Sequence, residues 1–167
     1  MQAKPSLKIH KISSIAVLKH AARLMAASDP WRKLGLGCRD CFKSMTAPFR
    51  EVYMARAGHK LAGLVIVTMY GTFRGYIQSL FVAEGFRDRG LGALLMKHAE
   101  ETIFARAPNV FLCVSSFNKK AIKFYRRLGY RQCGRLADFL VRGHDEILMR
   151  KTIAPINVFY RRKNNKY

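Results

Sequence analysis

The sequence predicts an α+β domain on a mixed, mostly antiparallel central sheet of about seven strands flanked by about four helices. Two observations carry that expectation. Strand-like and helix-like segments succeed one another as β, two helices, three strands, helix, strand, helix, two strands, so one strand–helix–strand crossover sits among hairpins. In addition, 167 residues at 50% hydrophobic composition can bury one core and are too few for a second full-sized domain. The domain is expected over residues 1–155, with a basic C-terminal tail over 156–167.

Leu7, Ile9 and Ile12 mark a short opening strand. Ile15, Leu18, Ala22 and Met25 then recur at helical spacing, with Ser13 or Ser14 placed to cap the first turn. That helix stops near Asp29 and Pro30, and a second covers Arg39 to Met45 before Pro48. From Glu51 the texture becomes β-branched and aromatic, broken at Gly58 and around Gly71 to Gly75, which reads as three consecutive antiparallel strands. Leu91, Leu94, Leu95, His98 and Ile103 lie on a helix reaching about Ala105. "NVFLCVSSF" is a continuous apolar strand, expected to be buried on both faces. "NKKAIKFYRRLGY" is a helix closed by Gly129, and the segment after it reads as a hairpin turning at Arg142 to Asp145. The closing "RRKNNKY" is polar and basic and reads as disordered.

Composition bounds the function. A formal charge of +21 attracts anions without saying which. The longest apolar run, Leu61 to Tyr70, is about half of what a membrane span needs, and "MQAKPSLKIHK" lacks the apolar block of a secretion signal. The four cysteines are unevenly spaced, which suits a reducing cytoplasm better than a disulfide framework. Cys38 and Cys41 form one CxxC, yet Cys113 and Cys133 stand alone, so ordinary packing cysteines are expected and no metal.

The stretch "FRDRGLGALL" sets two arginines and two glycines at the opening of a helix. A P-loop would need Lys and then Ser or Thr after its last glycine, where this chain has Ala93 and Leu94. A Rossmann fingerprint would need glycine at 95, which is leucine. What remains is a turn in which Gly90 and Gly92 leave the backbone amides of Arg87 to Gly92 bare, at the positive end of a helix dipole. Diphosphate is the natural occupant.

"LFVAEGFRDRGLGALL" followed by "NKKAIKFYRRLGY" resembles the GCN5-related N-acetyltransferase superfamily, with its (Arg or Gln)-x-x-Gly-x-(Gly or Ala) loop at Arg87, Gly90 and Gly92. Asn118, Ala121, Phe124, Tyr125, Gly129 and Tyr130 match the second motif, and the likeness covers roughly residues 50–150. The branch it most resembles is that of the N-terminal acetyltransferases. The resemblance implies acetyl-CoA as donor. Its diphosphate would lie on the turn of Arg87, Asp88, Arg89, Gly90, Leu91, Gly92 and Ala93, its pantetheine along Leu80, Phe81 and Val82, and Asn118 would contact it. An amide of Leu80 to Val82 would steady the oxyanion. Tyr125 would protonate the leaving sulfur.

The base is less obvious. Relatives place a glutamate at the position of Tyr76 or of Cys113, and neither position is acidic here. In the relatives most like "YIQSL" the tyrosine matching Tyr76 serves as base, through water or directly, with a histidine at the Cys113 position that this chain lacks. Glu84, Asp88, Glu100 and Glu101 fall around the cofactor helix, which leaves Asp138, His144, Asp145 and Glu146 on the hairpin. Deprotonating a lysine of pKa about 10.4 at pH 7 costs roughly 4.6 kcal/mol, against about 1 for an α-amine near 7.8. The acceptor is therefore expected to be a peptide N-terminus or a small amine. Asp138 and Phe139 depart from the paired tyrosines common in N-terminal acetyltransferases, which counts against a peptide.

A different class of function is an RNA- or ribosome-associated binding module without turnover. Its evidence is Lys4, Lys8, Lys11, Arg126, Arg127 and Arg161 to Lys163, with Phe159, Tyr160 and Tyr167 nearby. The basic residues are scattered rather than concentrated, so a solvated coat that also helps hold anionic CoA is preferred. Trp31 reads equally as a substrate contact and as a core edge. Monomer and homodimer both fit.

Overall fold

The computed structural model describes residues 7–164, and of residues 162–164 only the backbone. Lys4 and Tyr167, and the side chains of Arg162 and Lys163, lie outside the described set. Among the described residues seven strands and four α-helices follow in the expected order, β1 (Lys8–Ile12), α1 (Ile15–Ala26), α2 (Cys38–Thr46), β2 (Arg50–Ala57), β3 (Lys60–Thr68), β4 (Tyr76–Val82), α3 (Leu91–Phe104), β5 (Asn109–Ser115), α4 (Lys119–Arg127), β6 (Arg131–Val141) and β7 (His144–Thr152), and a fifth helix, α5 (Ile156–Asn164), comes after them. The strands run β1-β2-β3-β4-β5-β7-β6. β4 and β5 are parallel and the β5–β7 and β6–β7 pairs antiparallel, so the sheet is mixed.

The described residues form two compact units, those within 1–67 and 78–99 making the first and those within 68–77 and 100–167 the second. In the first, β1 pairs antiparallel with β2 from Lys8↔Arg56 to Ile12↔Val52. Leu18, Ala22 and Met25 of α1 and Cys41 and Met45 of α2 bury against Val52, Met54, Leu64, Ile66 and Phe81. The Asp40 carboxylate accepts the Gly37 amide at 2.9 Å and so closes the first turn of α2. Trp31 sets its ring edge-on to Phe81 at 5.9 Å and packs at the margin of this core. Gly63 has a packing reason: a Cβ there would stand 2.7 Å from the Phe81 carbonyl and 2.9 Å from Leu95, so only glycine lets β3 and α3 approach.

In the second unit β5 is the spine. Its register runs from Asn109↔Thr152 to Ser115↔Glu146 against β7, and Tyr76↔Phe111 and Ile77↔Leu112 join it to β4. One face, Val110, Leu112 and Val114, is buried, while Phe111 and Cys113 on the other are only half-buried. The expectation of a strand buried on both faces holds at the strand ends, where Asn109 and Ser115 on the Phe111 side are buried, and is corrected between them, where Phe111 meets the Phe73 ring at 5.0 Å. The disordered reading of residues 161–167 is corrected over 161–164, and its part at 165–167 lies outside the described residues. Ile156–Asn164 is helical, with the Phe159 amide bonded to the Pro155 carbonyl at 3.0 Å and the Tyr160 hydroxyl to the Arg106 carbonyl at 3.3 Å. Phe159 and Tyr160 thus supply packing that a count of polar residues overlooks.

Candidate active site

In the first unit the turn ahead of α3 is built by backbone hand. Asp88 and Gly90 have φ of 58° and 81° on either side of Arg89, whose φ is not left-handed, and such alternation points successive amides into one concavity. A Cβ on Gly90 would meet no atom within 4 Å, so the ground before the turn is open. The amides that open α3 have no carbonyl one turn earlier to receive them. A turn of this hand at the opening of a helix fits a diphosphate. One amide leaves the expected set: that of Arg87 bonds the Glu84 carbonyl at 3.2 Å, closing a 3-10 turn over Glu84–Phe86. The Arg87 guanidinium bonds the Val82 carbonyl at 3.1 Å, so this side chain ties the turn to the end of β4. Leu80, Phe81 and Val82 are the strand residues just before it, with Phe81 facing the core and the other two half-buried.

In the second unit Asn118 is the N-cap of α4, its side-chain oxygen accepting the Ala121 amide at 3.1 Å. That role accounts for asparagine without reference to a cofactor. Tyr125 is buried, ringed by Phe124 at 5.2 Å and Tyr130 at 5.9 Å, and burial raises its phenol pKa. It is therefore fully protonated near neutrality, the form a proton donor needs.

Tyr76 meets Cys113. Burial first, then the charge of Cys113 and a hydrogen bond to its thiol, raise the Tyr76 phenol, which also feels Glu146, while the Cys113 amide pulls the other way. Tyr76 does not become a phenolate near pH 7. It can pass a proton but not store one as an anion. Cys113 is itself raised, chiefly by burial. The hairpin acids separate by partner: Asp145 pairs with Arg135, Asp138 accepts the Gly143 amide at 2.5 Å, and Glu146 accepts the Ser115 hydroxyl at 2.5 Å. Ser115 was not singled out by sequence reasoning, since nothing local announces which residue of β5 faces Glu146. His144 stacks edge-on with Phe117 at 5.0 Å. Cys41 is buried with its thiol pushed up to about 11, by burial first and then by Asp40, while Cys38 is exposed.

The family model for the acetyltransferase (GNAT) family matches residues 14–130. The chain belongs to that family. It is an N-acetyltransferase that uses acetyl-CoA to acetylate an amine. The acetyltransferase is 27% identical over 134 residues to the N-alpha-acetyltransferase RimI of Mycobacterium tuberculosis (strain ATCC 25618 / H37Rv), covering 78% of this chain and 80% of that protein. It is 43% identical over 93 residues to the streptothricin acetyltransferase of Streptomyces lavendulae, covering 53% and 48%. Its fold is like that of an aminoglycoside 6'-N-acetyltransferase crystallised with coenzyme A, at a TM-score of 0.70 and 19% identity over 89% of this chain and 98% of that one. No helix among the described residues is long and apolar enough to cross a membrane.

Proposed function

We propose that this acetyltransferase acts on an amine of low pKa, a peptide N-terminus or a small primary amine, by direct attack on acetyl-CoA in a ternary complex. The observation that carries this reading is the pair Tyr76 and Cys113: neither is a carboxylate, and the phenol stays protonated. A site that must draw protons through such groups favours an acceptor whose deprotonation costs about 1 kcal/mol over one that costs about 4.6. The likeness to an N-alpha-acetyltransferase and to a streptothricin acetyltransferase supports the same range of acceptors. In this reading the amides from Asp88 to Gly92 hold the diphosphate and Ala93 flanks it. Leu80 to Val82 align the pantetheine, Asn118 adds a cofactor contact to its capping role, and Tyr125 protonates the departing thiolate. Tyr76 passes on the acceptor's proton. Four free cysteines support a reducing, cytoplasmic setting, in which the enzyme works as a monomer or homodimer.

The test is release of free CoA against a panel of peptides, polyamines and amino acids. Faster turnover of peptide α-amines or small amines than of lysine side chains is the expected result. Much faster acetylation of lysine side chains overturns the proposal. Retention of RNA with steep salt dependence and no CoA release would instead point to the binding module.

A further inference from the structure

Side chains alternate along β7, so Glu146, Leu148 and Arg150 share one face and Ile147, Met149 and Lys151 the other. The register sets Ser115 opposite Glu146 and Cys113 opposite Leu148, and sets Phe111 level with Tyr76 of β4. One face of this unit therefore carries Tyr76, Cys113, Ser115 and Glu146. Glu146 is only 3% exposed and accepts the Ser115 hydroxyl at 2.5 Å. The other hairpin acids are committed elsewhere, Asp145 to Arg135 and Asp138 to the turn. A buried carboxylate held by a neutral hydroxyl is poorly compensated as an anion and ready to take a proton.

From this placement we propose that Glu146 receives the proton that the acceptor ammonium must lose, with Tyr76 passing it on and Ser115 fixing the carboxylate. The inference rests on the amine-acceptor reading given under Proposed function. An N–H bond of the ammonium breaks and its proton goes to the Tyr76 oxygen, while the Tyr76 O–H proton goes to the Glu146 carboxylate. The freed lone pair forms the C–N bond as the C–S bond breaks. The thiolate takes the Tyr125 proton, the surplus proton on nitrogen restores that phenol, and Glu146 returns its proton to solvent after product leaves. Burial raises the Glu146 pKa first of all, and the Ser115 hydroxyl and the charge of His144 lower it. A raised carboxylate stands closer to an α-ammonium near 7.8 than to a lysine near 10.4, so transfer is less uphill for the acceptors proposed. The titratable groups that act on it are Tyr76 from β4, Cys113 from β5 and His144 from β7, with Cys133 of β6 acting on Cys113, while Asp145 is paired with Arg135.

The experiment compares wild type with Glu146→Gln, Glu146→Asp and Ser115→Ala, using one acceptor whose own titration is common to all. Glu146→Gln should lose about 100-fold in kcat and lose the acid limb of the pH profile. It should keep its thermal stabilisation by acetyl-CoA. Glu146→Asp should restore the limb with an intermediate rate. Ser115→Ala should move the acid limb to higher pH, because the carboxylate loses the donor that lowers it. Glu146→Gln within about threefold of wild type, with its acid limb intact, overturns the proposal. If Glu146→Gln does not fold, the Ser115→Ala limb decides alone, and a limb that stays in place overturns it. A wild type that releases no CoA with any amine overturns both this and the acceptor reading, whereas wild-type turnover matched by Glu146→Gln overturns only this one.

Discussion

The unit built on β5 holds two glutamates, Glu146 buried and Glu100 nearly so, on opposite faces and in different company. Glu100 of α3 takes the Lys151 ammonium at 2.6 Å, with their side chains 13% and 29% exposed. The lysine stem passes on to the Tyr130 ring, its nitrogen 5.8 Å from the centroid. Glu146 takes a serine hydroxyl instead. The first arrangement matches charge with charge and holds structure. The second leaves a carboxylate whose protonation is eased by its surroundings, an arrangement with a cost in stability and a use in proton transfer.

If that contrast holds, the largest stability effect belongs to the paired face. Lys151→Met leaves Glu100 buried without its cation and should cost about 2 kcal/mol, the lower side of the range for breaking buried pairs because the lysine is partly wet. For a chain of this size that is a fall of about 4–8 °C in Tm. Adding Glu100→Gln should recover most of it, since the uncompensated charge is then gone. Scanning calorimetry on the three variants checks this. Turnover per folded molecule should be unchanged, and a variant that melts like wild type would erase the distinction between the two faces.

A smaller effect is expected on the other face. Ser115→Ala removes the hydroxyl that donates to Glu146 and should cost about 1 kcal/mol at neutral pH by urea unfolding, less in acid where the carboxylate is protonated. A cost that does not change with pH would mean that the serine serves packing alone.

The same contrast shows how far the sequence could be read. Element order, the turn glycines and the Gly129 stop are local signals, because a positive φ or a 2- or 3.6-residue period is written within a few neighbours. The Arg142–Gly143 turn was legible for that reason. β5 was harder: its apolar run does not tell which of Phe111 and Leu112 lies under a second layer. α5 was hidden because Phe159 and Tyr160 are only two apolar rings within a basic tail, and the hydroxyl contact of Tyr160 with the Arg106 carbonyl spans 54 residues. The turn ahead of α3 was visible in its glycines, but not the bond that already takes the Arg87 amide to the Glu84 carbonyl. Tyr76 could be placed at the start of a strand from its motif, but its neighbours could not. Glu146 was one of four polar hairpin residues, and choosing it needs the β5–β7 register and the Arg135–Asp145 pair, both set by tertiary structure.

The smallest effect is also the sharpest, because it has opposite signs on the two faces. The Glu146 pKa is raised on folding, so the native protein holds that proton more tightly than the unfolded chain does. Its stabilising contribution is whole below the unfolded carboxylate value of about 4.3 and is lost as pH rises through the folded value. Glutamine cannot ionise and escapes the loss. Glu146→Gln should therefore melt above wild type at pH 8, and the gap should close on titration toward pH 4. Glu100→Gln, which forfeits its ion pair with Lys151, should melt below wild type at pH 8. One isosteric change would raise Tm on one face and lower it on the other. Paired melts across pH 4 to 8 read the sign directly, and a fall at both sites would show that Glu146 is held as a compensated anion after all.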